Sequence, residues 1–220
     1  RIGVTMPTQP KNTAMGKYGN FNVKLTDYTE CPPPRYQDTF KHHGRLLWDW
    51  DSYIANFDFY SKDTMYSNLY QLTKLDDPRK WDSVIHDINT LNDDLFKHCQ
   101  NWMKTYFGMS RIDVALFKCN PGSISTLHKD NFYGCRIRRG WEHKVPADRV
   151  FETMTKYWIP LQDRKPGHFF ECDGVVLSDW KQGDMWTFAN ERGHLGATVA
   201  EDPRYYLAIA GITDIIWDTL

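Results

Sequence analysis

The stretch STLHKDNF, residues 125–132, decides how this chain is read. It sets a histidine, His128, and a carboxylate, Asp130, two residues apart. On a helix, side chains two apart do not face one another. On a strand they share a face, roughly 6.6 Å apart at about 3.3 Å per residue. A neutral base and an anion leaning toward one point suggest a divalent cation. Two ligands hold a metal poorly, so the rest of the sequence has to supply a third.

The surrounding sequence reads as short strands divided by turns. RIDVALFKCN (111–120) is ended by Pro121-Gly122, and the strand carrying His128 follows. TKYWIPLQD (155–163), HFFEC (168–172), MWTF (185–188) and RYYLAIAGI (204–212) continue the series. Lys165-Pro166-Gly167, Asp173-Gly174 and Gly183-Asp184 supply turn signals between them. Many short strands with such turns predict a sandwich or barrel. Residues 134–149, GCRIRRGWEHKVPADR, break this rhythm and read as a basic insertion.

Upstream, Asp77-Pro78 reads as an N-cap followed by proline at the first helical position. Val84, Ile88, Leu91, Leu95, Cys99, Trp102 and Tyr106 then recur at steps of three and four. The spacing predicts one long amphipathic helix over about 78–107, packed on a sheet and capped by Gly108. Residues 1–45 include Pro32-Pro33-Pro34 and are rich in Pro, Gly, Asn and Thr, which predicts extended or irregular structure wrapping a core. The expected organisation is a β-rich α+β fold in a single domain, 1–220. Within it, 1–107 is an irregular and helical support region, and 108–220 is the β core with its basic insertion.

The third ligand is His194, after MWTF and a polar turn. Its separation from His128 is 194 − 128 = 66 residues, a gap that antiparallel pairing can close. Two histidines and a carboxylate make the facial triad of non-heme Fe(II) enzymes, which leaves coordination positions open. A surface histidine and a turn aspartate are the plainer alternative. Arg204 lies 204 − 194 = 10 residues further on, at the head of an alternating strand. Arg204, Tyr206, Ala208 and Ala210 share one face; Tyr205, Leu207 and Ile209 share the other. A guanidinium turned into a barrel is a buried charge that needs an anion. A carboxylate ligand gripped by both its oxygens would supply one. The alternative is a strand-end arginine paired with Glu201 or Asp202.

This set resembles the 2-oxoglutarate/Fe(II)-dependent oxygenase superfamily. The residues that carry the likeness are His128-Lys129-Asp130, His194 and Arg204, in that order. Gly183-Asp184-Met185-Trp186-Thr187-Phe188 is similar to the family's Gly-Asp turn leading to the distal histidine. Asn120-Pro121-Gly122 is similar to a turn of the prolyl-hydroxylase-like branch. The resemblance covers roughly residues 111–212. It implies a double-stranded β-helix, a jelly-roll or cupin-like barrel with flanking helices. It implies Fe(II) held by His128, Asp130 and His194, with 2-oxoglutarate and O₂ as co-substrates. Arg204 would bind the distal carboxylate of 2-oxoglutarate. Many members carry Ser or Thr two residues after that arginine, where this chain has Tyr206. Trp158 occupies a position where a co-substrate contact is common, core packing being the alternative. The implied reaction is hydroxylation of a C–H bond with release of succinate and CO₂. Trp186 and Phe188 would then wall the site, or serve simply as barrel core.

Composition bounds the rest. With 41% hydrophobic and 25% charged residues the chain is an ordinary globular protein. A net charge of −1 offers no broad attraction for nucleic acid. No apolar run approaches the ~20 residues that span a bilayer, and no secretory signal is visible. Five cysteines without a CxxC pair read as reduced thiols in an intracellular, cytoplasmic setting. Arg136, Arg138, Arg139, His143, Lys144 and Arg149 cluster near Trp141. This cluster reads as a lid over an anionic substrate, such as an amino acid, a peptide carboxylate or a phosphate. It also reads as a nucleic-acid contact with Trp141 and Tyr133 as stacking surfaces, or as a solvated loop. A small molecule or peptide is the expected substrate. Two rivals are a non-catalytic jelly-roll binding module and a cupin-like metal enzyme without 2-oxoglutarate, zinc included. Arg204 discriminates, because neither rival needs a buried arginine facing the metal.

Overall fold

The computed structural model describes residues 39–59, 67–68, 83–88 and 94–219. The expected cap at Asp77-Pro78, the proline run and Cys31 lie outside them. The strands are β1 Phe40–Arg45, β2 Ser67–Asn68, β3 Ser83–Asp87, β4 Arg111–Cys119, β5 Ile124–His128 and β6 Met154–Pro160. They continue with β7 His168–Cys172, β8 Val175–Val176, β9 Asp184–Phe188, β10 His194–Thr198 and β11 Arg204–Ile212. All pairings are antiparallel. One sheet has the order β1-β9-β6-β11-β4-β3-β2 and the other β5-β10-β7-β8. From β4 to β7, and again from β9 to β11, successive strands alternate between the sheets. The fold is the expected double-stranded β-helix.

The alternation along β11 sorts its side chains as expected. Leu207 and Ile209 are fully buried on the outer face of the large sheet, with Val114, Leu116, Ile159 and Met185. Helix α1 (Trp50–Asn56) and helix α2 (Asp94–Phe107) add Trp50, Leu95, Cys99 and Met103 to that cluster. Each such Leu or Ile contributes about 1.5–3 kcal/mol by leaving water. On the inner face, Ala208 and Ala210 lie opposite Ala115 and Asp113 of β4.

Two expectations fail upstream. The helix predicted over 78–107 begins only at Asp94, and residues 83–87 form β3, paired with β4. Steps of three and four across Val84, Ile88 and Leu91 mimicked a helical stripe, while the pairing that makes the strand lies some thirty residues away in the chain. Within α2, Met103 is buried and Tyr106 is 66% exposed, so the apolar stripe bends away from the expected Tyr106. Phe40–Arg45, within the stretch expected to be extended or irregular, forms the edge strand β1 beside β9.

The cap holds. Gly108 has φ +61°, and its N–H donates to the Lys104 carbonyl at 3.2 Å, closing α2 in the left-handed manner that glycine favours. At the head of β9, Gly183 (φ +80°) leaves no room for a side chain: a Cβ would sit 2.5 Å from the Leu46 carbonyl. Asp184 beside it accepts from Arg45 Nε and Nη2 at 2.9 and 2.8 Å, tying β1 to β9. Cys99, Cys119, Cys135 and Cys172 are buried and take part in no disulfide among the described residues. Among the described residues no helix is long and apolar enough to cross a membrane.

Candidate metal centre

The small sheet assembles the triad. His194 opens β10 and stands directly opposite His128, the last residue of β5. A directly opposed antiparallel pair brings two side chains to one level on one face. The ring centroids are accordingly 4.3 Å apart. Asp130 arrives differently from the expectation: β5 ends at His128, so the two-residue strand period does not place it. Its backbone N–H donates to the Asn190 carbonyl at 3.1 Å, which turns the loop back over the pair. One ligand atom from each of His128, Asp130 and His194 lies within 4.8 Å of the others.

The protonation states suit a cation. His194 is 2% exposed, and burial pushes its imidazole down to about 4, the neighbouring Asp130 opposing that shift. The ring is therefore neutral near pH 7. Its Nδ1 lies 3.1 Å from the Arg192 carbonyl and, as the donor there, leaves Nε2 as a lone pair. That Nε2 is buried without a hydrogen-bond partner, 3.4 Å from Asp130 Oδ2. Burial alone would raise the Asp130 carboxyl, but Lys156, His194 and His128 together bring the group below its ordinary range. Lys156 Nζ donates to Asp130 Oδ2 at 2.8 Å. Two imidazoles and an ionised carboxylate form the donor set of a divalent transition metal. Phe188 meets the His194 ring edge-on at 4.8 Å and closes one side.

Lys156 was not foreseen. Its signal was present in the register of β6, where Lys156 and Trp158 stand opposite Ala210 and Ala208 on the inner face.

Arg204 is 3% exposed at the start of β11. The alternative pairing with Asp202 does not occur, because Asp202 meets Lys165 at 2.7 Å. Nη1 donates to the Phe169 carbonyl at 2.8 Å, Nη2 reaches Cys119 Sγ at 4.0 Å, and Nε is buried without a partner. Among the described residues no carboxylate pairs with this guanidinium. Tyr206 follows on the same face, stacked on Phe117 at 4.5 Å and 6°. Trp158 is 2% exposed, stacked on Phe170 at 4.8 Å and edge-on to Trp180 at 5.1 Å, which places it within an aromatic core.

The basic segment divides into two kinds of residue. Helix α3 (Tyr133–Arg138) folds back onto β4, where Arg138 Nη2 donates to Asp113 Oδ2 at 2.6 Å. Arg139 donates to the Ile112 carbonyl through Nε and Nη2. His143 and Lys144 are exposed. Trp141, expected as a stacking surface, is 6% exposed and packs with Phe132, Val145, Val150 and Met154, so its face is taken by core contacts. Tyr133 is 61% exposed. Trp186 is half-buried, its ring 4.7 Å from that of His42.

The sequence matches no protein-family profile and no curated protein. Solved structures do resemble the fold. The non-heme alpha-ketoglutarate-dependent epimerase SnoN from nogalamycin biosynthesis aligns over 80% of this chain and 79% of its own, with TM-score 0.52 and 10% identity. SnoN in complex with Fe3+, alpha-ketoglutarate and nogalamycin RO aligns over the same shares, with TM-score 0.50 and 10% identity. At that identity the likeness speaks to architecture: this chain has a double-stranded β-helix fold.

Proposed function

We propose that this chain is an Fe(II)- and 2-oxoglutarate-dependent oxygenase that hydroxylates a C–H bond of a small molecule or peptide. The observation that carries the reading is the pairing of two features inside one barrel. His128, Asp130 and His194 offer a facial donor set, and Arg204 offers a buried cation that no carboxylate among the described residues neutralises. A lone buried charge costs several kcal/mol, which an arriving dianionic 2-oxoacid would offset. The neighbouring structure that holds Fe3+ and alpha-ketoglutarate supports the reading by showing that such a barrel accommodates both.

When bound, Fe(II) and the 2-oxoacid activate O₂, so that one oxygen atom enters succinate, the other enters the substrate, and CO₂ leaves. The chain's residues set this up. His128, Asp130 and His194 would hold the metal. Lys156 helps to keep Asp130 ionised. Arg204 would pair with the distal carboxylate of the 2-oxoacid and so orient it. Tyr206 presents its ring beside that path, and Trp158 holds Phe170 and Tyr206 in place as packing. Phe188 excludes water from the His194 side. On the substrate side, Arg138 with Asp113, Tyr133 and Trp186 remain candidates for contact.

The test is anaerobic addition of Fe(II) and 2-oxoglutarate. The expected result is the weak visible charge-transfer band of the chelate, lost for 2-oxoglutarate in Arg204→Ala while Fe(II) affinity is kept. Absence of the band at saturating ligand overturns the reading. A screen of amino acids, peptides and nucleotides for a mass gain of one oxygen, matched by succinate, then identifies the substrate.

A further inference from the structure

The basic segment holds a charge that the metal centre does not use. Arg138 pairs with Asp113 at 2.6 Å, Arg139 approaches the same carboxylate at 3.7 Å, and Arg149 meets Glu152 at 3.1 Å. Arg136 is the exception. It is the most buried of these arginines, 7% exposed, and among the described residues no carboxylate pairs with it. Its Nη2 donates to the Glu142 carbonyl at 3.4 Å, and its Nε is buried without a partner. A guanidinium carries several N–H donors in a fork. A single long bond to a neutral oxygen answers neither those donors nor the charge. Exposed cations do well enough in water, whereas a buried one needs an anion. Here the order is inverted: the arginines nearer water have carboxylates, and the sealed one has none.

Arg136 is nonetheless within reach of solvent. The chain after α3 folds back over it, with the Trp141 N–H donating to the Arg136 carbonyl at 2.7 Å. Glu142, His143 and Lys144 of that loop are exposed. The guanidinium therefore lies just beneath the surface, against the backbone of an exposed residue. Lys144 is in no ion pair among the described residues and adds positive charge to the same loop. Arg136 also follows the metal-ligand loop closely, six residues after Asp130 (136 − 130 = 6). Between them Phe132 holds φ +53°, and its carbonyl accepts from the Arg136 N–H at 3.0 Å and from Cys135 Sγ at 3.1 Å. That conformation is costly for a bulky side chain, and residues held in it gather at ligand sites.

We propose that Arg136 is the receptor of an anion site separate from the metal centre, which takes a carboxylate or phosphate group from outside the chain. Either group matches the fork of a guanidinium with paired oxygens. The 3.4 Å bond to the Glu142 carbonyl is the contact that the ligand replaces. Neither metal nor 2-oxoacid enters this site, so it stands or falls apart from the oxygenase reading.

The test is unfolding of the metal-free protein in inorganic phosphate and, separately, in acetate, at constant ionic strength with chloride as the reference. A saturable rise in the unfolding midpoint is expected with at least one of them, and the tighter of the two names the group that the site takes. A general salt effect would not saturate and would be equal in the variants. In Arg136→Met the dissociation constant should rise about 10-fold or more, the loss of a charge-assisted pair. Arg136→Lys keeps the charge without the fork and should bind with intermediate affinity; it carries the test if the Met variant does not fold. Arg204→Ala removes the other buried guanidinium and should leave the saturable shift in place. Without added anion, Arg136→Met should hold or raise the midpoint, because a buried charge goes while the packing of its stem is kept. A lowered midpoint would mark the arginine as a staple between α3 and the Glu142 loop and count against the proposal. No saturable shift in the wild-type protein, or an undiminished one in both Arg136 variants, overturns it.

Discussion

The outer face of the seven-stranded sheet and the inner face of the four-stranded sheet are built from opposite materials. The first sets Leu207, Ile209, Val114, Leu116 and Ile159 against Leu95, Cys99 and Met103 of α2, hydrocarbon and thiol throughout. The second lines up His128, His194, Gly196 and Thr198, and leaves His194 Nε2 and Thr198 Oγ1 unpaired in the dry interior. A fold tolerates such idle polar atoms where other contacts hold it together. The difference teaches that stability and chemistry sit on separate surfaces of the same barrel, and so should separate under mutation.

The largest effect belongs to the apolar face. Leu207→Ala is expected to cost about 2–5 kcal/mol in urea unfolding through the cavity it leaves, with Fe(II) affinity per folded molecule unchanged. A parallel fall in metal affinity would break the division. Next comes the pH dependence of the metal-free protein. His194 is held at about 4 against an ordinary 6.5, so the unfolded chain takes up that proton first. The sign follows: this contribution to stability is whole above pH 6.5 and is lost as pH falls through about 4. The loss amounts to about 3 kcal/mol by linkage, and His194→Asn should flatten that part of the profile in unfolding titrations. Asp130→Ala should lower Fe(II) affinity at least about 100-fold, more than outer partners of a metal ligand usually give. Competition with a chromophoric chelator would measure this. The smallest effect sharpens the comparison across the two sheets. Lys156→Met removes the cation that opposes burial, so the Asp130 carboxyl rises and protons compete with metal to higher pH. Fe(II) binding should be about 10-fold weaker near pH 5 and nearly unchanged at pH 8. An equal loss at both would make Lys156 a packing residue.

The strands that the sequence marked well are those with local signatures. HFFEC and RYYLAIAGI carry alternation bounded by turn residues, and they form β7 and β11 over the same residues as expected. His128, Asp130 and His194 were suggested less by their types, since eight histidines and many aspartates would give such a set often, than by their order together with Arg204. β3 was not legible, because Ser83–Asp87 becomes a strand through its pairing with β4, while its apolar spacing continues into a true helix. β1 hid for a similar reason: FKHHGR has little strand character of its own and is held at an edge by β9. The fixing of Arg138 on Asp113 joins residues 25 apart with nothing local to announce it. Trp141 misled because an aromatic in a basic run looks like a ligand platform, whereas its burial is set by Phe132, Val145, Val150 and Met154.

The facing of His128 by His194 has a mechanical corollary. An ion shared by these rings would rivet two neighbouring strands whose histidines are 66 residues apart along the chain (194 − 128 = 66). Loading would then be felt as tightening, about 2.7 kcal/mol at a hundredfold excess over the dissociation constant. Amide protons along Ile124–His128 and His194–Thr198 would exchange more slowly in proportion, so that this one seam of the barrel would report how much of the protein carries its ion.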